Sequence, residues 1–553
     1  MNFQVMNSFQ NKLRGGYYTP ELISKFLTNW AIRSPEDKIL EPSCGDGNIL
    51  VESYKVLKNY GASGNSDKKL IGVEYFQQEA EKAEKRLLNL DGNLDLAEIV
   101  VGDFFEYYVK KLNFDKSFDV VVGNPPFIRY QNFPEEQKSI ALELMRKNGL
   151  RPNRLTNAWL AFLVCSTLVL NKNGRLAMVI PAELFQVNYA AEVRKYLSDY
   201  FKRIFIITFK KLIFKEVQQE VVLLLAEKNS SNLEGINVIE VDDIAELSGL
   251  QLKEINENNL KPIDHNKDKW TKYFLDKDEI LLLKHIKNHP QIVDSGDIFE
   301  VDVGIVTGQN SFFVMGGKDL KKYGLEESCH KIVTRSNQLR GLIFSEGDFN
   351  QNVEKNLPSF LFYPQDETEK PFSDSIQKYI LDGEKKEVHK GYKCSNRKQW
   401  YKVPSVWRPD AFMLRQVHEY PKLVTNSTTA SCTDTLHRVR FKNGYSPTQI
   451  ANLFLNSLTF SFAEITGRSY GGGVLTFEPS EAEKLPLPLV KNDFADIGEI
   501  DRLLREGNIH EILKINDEKI LKKELGFSAK DIKMLNSIWT KLKNRRIGRN
   551  HSA

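Results

Sequence analysis

The stretch that most constrains the fold is Phe118–Gly123, which is mostly apolar and β-branched and is followed at once by Asn124-Pro125-Pro126-Phe127. Such a run predicts a buried strand that ends at a glycine. The two prolines then fix φ and remove two backbone donors, so the chain leaves the strand as a stiff segment. In an open α/β sheet, ligands bind just beyond the carboxyl ends of the strands. The sequence therefore predicts an α/β domain with a ligand site at this segment.

Asn124 and Phe127 carry the chemistry of this segment. An amide side chain accepts and donates hydrogen bonds at once, and an aromatic ring offers a face for stacking. Together they suit a planar ring that bears an exocyclic amine. The simpler interpretation is a proline-rich turn in which the asparagine only caps the chain.

Residues 38–50, further upstream, predict a strand, a glycine-rich turn and a helix. Gly45 and Gly47 allow the backbone to approach a ligand closely. Glu41 and Asp46 argue against a bound phosphate, because phosphate prefers N–H groups and a lysine, and no Gly-Lys-Ser/Thr follows. The turn instead suits a cofactor with a positive centre and ribose hydroxyls.

Two further predicted strands also end in acids. A carboxylate at the end of the second strand commonly holds ribose hydroxyls, and this is the role predicted for Glu74. After the third strand, Asp103 is predicted to accept from an adenine amine and Phe104 to pack on the ring. Strands often end in an acid for solvation alone, but the order of these segments along the chain makes the combined pattern specific.

With its segments in this order, the chain resembles the γ class of S-adenosylmethionine-dependent DNA adenine-N6 methyltransferases found in restriction–modification systems. Asn124-Pro125-Pro126-Phe127 matches the catalytic motif of that family. Residues 41–47 match its methionine-binding loop, with Ser43-Cys44 in place of the usual first glycine. The stretch from Leu13 to Glu21 matches the motif that precedes its first helix.

The resemblance implies S-adenosyl-L-methionine as the cofactor and double-stranded DNA as the partner. It also implies that Phe214 and Phe127 stack on an adenine turned out of the duplex; an ordinary core phenylalanine is the alternative for Phe214. The resemblance alone implies that Thr19 contacts the cofactor, whereas the other cofactor-binding residues are predicted from the sequence and the resemblance together. The full predicted set is Thr19, Glu41, Ser43, Cys44, Gly45, Asp46, Gly47, Glu74, Asp103 and Phe104.

The expected catalytic residues are Asn124, Pro125, Pro126 and Phe127. The N6 lone pair of adenine is delocalised into the ring, so N6 is a poor nucleophile. Hydrogen bonds from N6–H to the Asn124 side-chain oxygen and the Pro125 carbonyl would localise that lone pair as attack begins. Contacts that strengthen in the transition state accelerate the reaction. We expect neither a metal ion nor a covalent intermediate.

The chain of 553 residues is too long for one ordinary domain. Alternating helices and apolar strands predict a Rossmann-like domain with a mostly parallel seven-stranded sheet, and the resemblance adds an antiparallel strand in its last pair. An α+β target-recognition domain is expected to follow. The predicted boundaries are 1–245 for the catalytic domain, 246–295 for a bridge, 296–490 for target recognition and 491–553 for a helical basic segment.

Two segments near the ends of the chain have helical patterns. Residues 21–33 predict an amphipathic helix with Leu22, Phe26, Leu27 and Trp30 on one face. The last helical pattern ends in a cluster of lysines and arginines, and a solvated end is favoured there over a nucleic-acid contact.

Any DNA-binding surface must come from local clustering, since the net charge of +4 is mild for 77 basic and 73 acidic residues. Aromatic and basic residues interleave between residues 392 and 408, and residues 467–473 form a basic glycine-rich loop. Such mixtures suit DNA contact, and a solvated irregular surface is the alternative. The predicted DNA contacts are Arg154, Arg397, Lys398, Trp400, Arg408 and Arg468.

The five cysteines lack paired spacing, which indicates neither a zinc site nor a disulfide framework. No apolar run reaches the roughly 18 residues that a membrane helix needs. These features favour a reducing cytosol away from membranes, and the resemblance implies a protein of the bacterial or archaeal cytoplasm that acts as a monomer on DNA. A cognate restriction endonuclease, if present, is expected to act separately.

Two other classes of function stay open. RNA and protein-glutamine methyltransferases share the Asn-Pro-Pro-aromatic motif, but they usually lack a long C-terminal region rich in aromatic and basic residues. A non-catalytic DNA-binding specificity subunit could carry a degenerate methyltransferase domain, although the intact Asn124 and cofactor loop argue against it. Methyl transfer measured on DNA, RNA and protein distinguishes these classes.

Overall fold

The structure, a computed structural model, describes residues 18–64, 68–211, 213–214, 220–229, 234–250, 259–364, 371–470, 472–490 and 496–548. The described residues form two compact units, of which the first runs up to Lys277 and includes Gly548, and the second is Asp278–Ile547. No helix among the described residues is long and apolar enough to cross a membrane.

The boundary between the units falls inside the stretch 246–295 that the sequence predicts as a bridge. The described residues of this stretch before the boundary pack as part of the first unit. Trp270 and Tyr273 are buried there, and Lys261 pairs with Ile236 at the edge of the sheet. The boundary between the two compact units therefore lies between Lys277 and Asp278.

The first unit is built on one large sheet with strand order β3-β2-β1-β4-β5-β7-β6-β8. Its strands are β1 (Ile39–Glu41), β2 (Leu70–Glu74), β3 (Ala97–Val101), β4 (Phe118–Gly123), β5 (Leu170–Pro181), β6 (Arg203–Phe209), β7 (Val221–Glu227) and β8 (Gly235–Val241). The helices are α1 (Glu21–Ala31), α2 (Asn48–Asn59), α3 (Gln77–Asp91), α4 (Phe104–Lys110), α5 (Glu135–Lys147), α6 (Ala158–Leu168) and α7 (Ala191–Tyr200).

Neighbouring strands of this sheet run parallel except at β7, which is antiparallel to both β5 and β6. The mostly parallel Rossmann-like sheet and its one antiparallel strand are confirmed. The sheet has eight strands among the described residues instead of the predicted seven, because β8 pairs in parallel with β6 and extends the edge. β4, the strand before the Asn-Pro-Pro-Phe motif, is central and buried, as its β-branched run predicts.

Helix α1 presents a different face to the core from the one predicted. Ile23, Leu27 and Ala31 are fully buried, whereas Leu22 is 41% exposed. Phe26 and Trp30 are partly buried and pack against the same core. The inclusion of Leu22 in the buried face was wrong, because the burial follows the i, i+4, i+8 positions that start one residue later.

The second unit is an α+β assembly of short strands and helices. Its five-stranded sheet has the order Phe299–Val303, Leu436–Phe441, Ala411–Leu414, Leu423–Asn426, Ile343–Phe344. Its four-stranded sheet has the order Val314–Met315, Phe360–Phe362, Cys329–Val333, Ser431–Cys432. Two smaller sheets join Gln416–Val417, Val474–Thr476 and Arg468–Tyr470, and Pro486–Pro488 with Ile292–Asp294.

The helices of the second unit begin at the boundary and return after the sheets. They are α8 (Lys277–Lys287), α9 (Asn310–Phe313), α10 (Gly317–Tyr323), α11 (Glu346–Glu354), α12 (Asp374–Lys385), α13 (Tyr392–Ser395), α14 (Pro447–Leu453), α15 (Ser457–Thr466), α16 (Pro479–Ala482), α17 (Ile497–Arg505), α18 (Ile509–Asn516) and α19 (Ala529–Gly548). A π-helical stretch, Asp517–Glu524, follows α18. The predicted helical segment 491–553 thus contributes α17 to α19 to the second unit.

The basic end of α19 is not a solvated tail. Arg546 is 3% exposed, and its guanidinium donates to both carboxylate oxygens of Glu464 at 3.0 and 2.7 Å. The same guanidinium donates to the Gly473 carbonyl. Lys541 pairs with Glu279 at 2.9 Å, and the Lys543 ammonium lies 4.1 Å from the centre of the Trp539 ring. Arg546 therefore ties the end of this helix to the rest of the second unit, and Lys541 and Lys543 also have partners within it.

We predict that Arg546→Met destabilises the protein by about 3–5 kcal/mol, because it leaves the Glu464 carboxylate buried and uncompensated. The measurement is denaturant unfolding of the full chain. Lys530→Met on the exposed face of the same helix is the control, and it should change stability by less than about 0.5 kcal/mol. Equal stability of the two variants would contradict a structural role for the buried pair.

Candidate active site

A cavity of about 290 Å³ lies at the carboxyl ends of β1, β2, β3 and β4 in the first unit. Residues predicted from the sequence supply much of its wall: Thr19, Glu41, Ser43, Cys44, Gly45, Asp46, Glu74, Asp103, Phe104, Asn124 and Pro126. Gly47, Pro125, Phe127 and Phe214 do not line it. Leu13 to Tyr17, the start of the predicted N-terminal motif, lie outside the described residues.

The glycine-rich turn after β1 depends on its two glycines. Gly45 has φ +55° and Gly47 has φ +87°, and side chains rarely adopt this left-handed backbone. At Gly47 an added Cβ would also lie 2.8 Å from the Cβ of Ala83 on α3. The turn can therefore pack against α3 and start α2 only with glycine at this position.

Glu41 is the most strongly perturbed acid in the cavity. Its side chain is 2% exposed, and its Oε2 atom accepts no hydrogen bond from the described residues. Burial raises the pKa of this carboxyl well above its usual range, and the negative charges of Asp46 and Glu74 raise it further. A buried carboxylate in this position is suited to a cationic ligand, which would supply the missing partner.

Glu74 and Asp46 shape the same turn. The Glu74 carboxylate accepts from the backbone N–H of Gly45 at 2.9 Å and of Phe76 at 2.8 Å. Burial raises the pKa of Glu74 although these backbone hydrogen bonds lower it. Asp46 accepts from Arg86 of α3 at 2.6 Å, and that guanidinium also contacts the Asp46 carbonyl at 3.3 Å.

Asp103 and Phe104 stand where the sequence predicts them, after β3. Asp103 caps α4 by accepting from the backbone N–H of Glu106 at 2.9 Å, and burial raises its pKa. Phe104 is buried and stacks on Phe162 of α6, with ring centres 5.7 Å apart. The two rings and the carboxylate form one wall of the cavity.

Asn124 is held from two sides. Its side-chain nitrogen donates to Thr19 Oγ1 at 3.2 Å, and Ser43 Oγ donates to the Asn124 carbonyl at 3.3 Å. Thr19 is buried and lines the cavity. The N-terminal motif and the glycine-rich turn therefore both position the amide of the Asn-Pro-Pro-Phe motif.

Asn157, which sequence reasoning missed, fixes the chain after that motif. Its side-chain oxygen accepts from the Tyr130 N–H at 3.0 Å, and its amide nitrogen donates to the Tyr189 hydroxyl at 3.2 Å. The N–H of Ala158 donates to the Ile128 carbonyl at 2.9 Å. An asparagine just before an apolar helix is a signal for a cap, and the partner here is a neighbouring loop instead of its own helix.

Further lining residues also escaped the sequence reasoning. Tyr75 and Phe76 follow the acid of β2, lie 54% and 39% exposed, and contact each other edge to face. Their position directly after Glu74 was the available signal. The other additional lining residues include Tyr18, Asn132, Phe133, Pro134, Gln137 and Phe162.

The residues predicted to contact DNA divide into two groups. Arg154 and Lys398 are exposed. Arg397 donates to the carbonyls of Val306 and Thr307 at 3.0 and 2.7 Å, and Arg408 to those of Thr428 and Asn426 at 2.7 and 3.0 Å.

Trp400 packs in an aromatic cluster, and its indole donates to Glu384, whereas Arg468 pairs with the buried Glu481 at 2.9 Å. These four side chains, Arg397, Trp400, Arg408 and Arg468, therefore serve the packing of the second unit through contacts that the sequence did not reveal.

The described residues hold no group of three or more His, Cys, Asp or Glu arranged for a metal ion. The Rossmann-like sheet and the acidic cavity at its carboxyl edge are those of a nucleotide-binding α/β domain.

Comparison with known proteins gives the family. The N-6 DNA Methylase family matches residues 3–309, more than half of the chain. The chain therefore belongs to the N-6 DNA methylase family and is an adenine-specific DNA methyltransferase. A second family, described as the C-terminal domain of the type II methyltransferase M.Eco57I, matches residues 267–521.

Whole-length relatives agree with this assignment. The type II methyltransferase M.AccI of Acinetobacter calcoaceticus is 24% identical over 525 residues, which cover 92% of this chain and 91% of the relative. The type II methyltransferase M.XamI of Xanthomonas campestris pv. amaranthicola is 21% identical, with 86% of each chain covered. These matches do not favour the RNA, protein or non-catalytic alternatives.

Solved structures show the same fold. The type IIL restriction-modification enzyme MmeI in complex with DNA has a TM-score of 0.60 at 13% identity, covering 98% of this chain and 76% of that one. The DrdV–DNA complex has a TM-score of 0.54 at 13% identity, covering 91% of this chain and 58% of that one.

We predict that Glu41→Gln stabilises the ligand-free protein, because the amide replaces a buried carboxyl that resists ionisation. An acid whose folded pKa lies above its unfolded pKa loses stabilising free energy as the pH rises between the two values. The gain should therefore be negligible in acid and grow towards neutral pH, to about 1–3 kcal/mol. Thermal unfolding without cofactor at several pH values measures it.

The matched control for this experiment is Glu84→Gln on the exposed face of α3, which removes an equal charge from a solvated site. It should leave the unfolding temperature nearly unchanged. A Glu41→Gln protein that unfolds earlier than wild type at neutral pH would contradict the assignment of an unsatisfied buried carboxyl.

Proposed function

We propose that this protein transfers a methyl group from S-adenosyl-L-methionine to N6 of an adenine turned out of duplex DNA. The proposal rests on one observation. Acidic side chains suited to a cationic nucleoside and the side-chain amide of Asn124 line the same cavity. A site-specific enzyme of this kind serves as the modification component of a restriction–modification system.

The residues of the cavity fit the proposed cofactor. The buried Oε2 atom of Glu41, which accepts no hydrogen bond from the described residues, suits the positive charge of the methionine part. Glu74 is proposed to hold the ribose hydroxyls, and Asp103 the adenine amine beside Phe104. When bound, S-adenosyl-L-methionine supplies an electrophilic methyl group on a sulfonium centre. Thr19, Ser43, Cys44, Gly45, Asp46 and Gly47 complete the proposed binding loop.

Asn124 and Pro125 are proposed to activate the acceptor amine. The Asn124 side-chain oxygen and the Pro125 carbonyl accept from adenine N6–H and so localise the lone pair on N6. Thr19 and Ser43 fix the amide and the backbone of Asn124 before substrate arrives, so little reorganisation is required. The two prolines keep the Pro125 carbonyl in place because their φ angles are restricted.

Phe127 and Phe214 are proposed to stack on the flipped base. Both are partly buried and pack against the same core cluster of the first unit. Neither ring lines the cofactor cavity, which agrees with a role on a neighbouring substrate position. Turning a base out of the duplex costs a few kcal/mol, and stacking recovers part of that cost.

The relatives support the biological context. M.AccI and M.XamI are named type II methyltransferases, and their matches extend through the second unit. We propose that the second unit selects the DNA sequence, that the enzyme acts as a monomer on DNA in the cytoplasm of a bacterial or archaeal cell, and that a cognate restriction endonuclease is a separate protein. Arg154 and Lys398 remain proposed DNA contacts because both are exposed.

We predict that Asn124→Ala lowers the rate of methyl transfer by about 10²–10³, because it removes one preorganised acceptor of the transition state. Single-molecule sequencing of DNA from an expression host first identifies the methylated sequence, and transfer of labelled methyl to that duplex then gives the rate. Calorimetry should show cofactor affinity close to wild type. Asp103→Asn, which changes a proposed cofactor contact instead of a base contact, should weaken cofactor binding in the same calorimetric measurement. Near wild-type turnover of Asn124→Ala would exclude the proposed role.

We predict that Phe214→Ala lowers activity on a fully paired duplex more than on a duplex whose target adenine is mismatched. The mismatch already reduces the cost of flipping, so the loss of a stacking ring matters less there. On the paired duplex the loss should be about tenfold, in keeping with 1–3 kcal/mol per stacked base. Phe214→Tyr, which keeps the ring, is the control. If Phe214→Ala lowered activity equally on both duplexes, the Phe214 ring would have only a structural role.

A further inference from the structure

A surface of the second unit is formed where residues 303–309 meet helix α13. Gly308 has φ +89°, and a Cβ at this position would lie 2.9 Å from the Cβ of Lys393. Arg397 donates to the Val306 and Thr307 carbonyls at 3.0 and 2.7 Å. The loop and the helix are thereby locked together, and the side chains that they expose keep fixed relative positions.

Arg438 locks the other side of the same loop. Its guanidinium donates to the Val303 carbonyl at 3.1 and 2.9 Å and to the Ser405 carbonyl at 2.5 Å. Ser405 has φ +59°, a left-handed conformation that is uncommon for a residue other than glycine. Such conformations persist where surrounding contacts impose them, and they are frequent at binding sites. The guanidinium also packs on Trp407.

The side chains exposed on this rigid base include an aromatic ring and two lysines. Tyr392 is 79% exposed, and the Lys393 ammonium lies 5.7 Å from its ring centre. Lys393 and Lys398 are exposed and make no ion pair with a described residue. Two nearby lysines of the unit differ, since Lys386 pairs with Asp382 and Lys390 with Glu387. We call Tyr392, Lys393 and Lys398 the Tyr392 surface.

Each group on the Tyr392 surface has a chemical counterpart in duplex DNA. The unpaired ammonium groups match phosphate charges, and binding there would release counterions. A tyrosine ring so fully exposed does not contribute to the core of its unit, and its flat amphipathic face suits a sugar or base edge in a groove. A protein partner would be expected to offer an apolar groove, which these hydrated lysines do not match.

We infer that the Tyr392 surface contacts the DNA duplex, with Lys393 and Lys398 on the phosphate backbone and Tyr392 in the adjoining groove. The inference rests on the proposed function, because it assigns the DNA partner to a particular face of the second unit. Arg397 and Arg438 act as positioning residues that hold the two edges of this surface. Val306, whose carbonyl accepts from Arg397, is 39% exposed beside this surface.

The test compares two double variants of the full chain. Lys393→Gln/Lys398→Gln removes the proposed phosphate contacts. Lys318→Gln/Lys321→Gln removes the same charge from exposed positions on α10 of the same unit. Binding to a random-sequence duplex is measured between about 50 and 200 mM salt. The first variant should give a plot of log K against log salt that is shallower by about 0.9 per lost phosphate contact, and the control should match wild type.

Tyr392→Ala and Tyr392→Phe test the groove contact. Binding is measured to a duplex that carries the DNA sequence methylated by the wild-type enzyme. The alanine variant should bind this duplex about tenfold more weakly than wild type, and the phenylalanine variant should retain most of the affinity. Circular dichroism and cofactor calorimetry confirm that each variant folds and binds cofactor like wild type. The inference would be overturned if the variants of the Tyr392 surface had the same salt slope and DNA affinity as the control variant. It would also be overturned if both double lysine variants lost the same amount of DNA affinity.

The outcomes also distinguish a failure of the inference from a failure of the proposed function. If the function is wrong, wild-type protein neither binds duplex DNA nor methylates it, and all variants behave alike. If only the inference is wrong, wild type methylates DNA and the three variants of the Tyr392 surface do so equally well.

Discussion

The register of three parallel strands is the constraint on which the active site depends. β1 pairs with β2 through Glu41 opposite Gly72 and with β4 through Leu40 opposite Val121. This alignment brings the chain segments after all three strands to one edge, where Glu41, Glu74 and Asn124 line a single cavity. A shift of one residue would turn each side chain to the other face of the sheet. The apolar, β-branched strands that bury the sheet on both faces therefore also specify the chemistry at its edge.

The site stores destabilising free energy at the place where the ligand is proposed to bind. Glu41 is buried with its charge disfavoured. Stability is supplied elsewhere, by the fully buried helix α6 and by ion pairs such as Glu464 with Arg546 in the second unit. This distribution suits a ligand-binding site, because a cationic ligand that pairs with the Glu41 carboxylate would recover the free energy that its burial costs.

Sequence reasoning predicted the first unit well because its signals are local. The strand runs, the glycine turn and the acids at strand ends depend on neighbours in the chain, and the cavity contains most of the predicted cofactor residues. Contacts between distant segments could not be predicted in this way. Asn157 and Arg86 position the loop and the turn through partners 27 and 40 residues away. The eighth strand and the exposed Leu22 likewise depend on how elements pack and not on their own patterns.

The second unit shows that basic residues in a sequence can be used inside the protein as well as on its surface. A guanidinium offers five donors in a planar fork, so one arginine can satisfy several carbonyls at once. Arg397, Arg408 and Arg438 are used in this way inside the unit. An ammonium is compact and strongly hydrated, and it lacks the planar fork of donors with which a guanidinium spans several carbonyls. In a chain with almost balanced charge, the positive charge available to DNA depends on which basic side chains stay exposed, and the structure shows that Arg154 and Lys398 are among them.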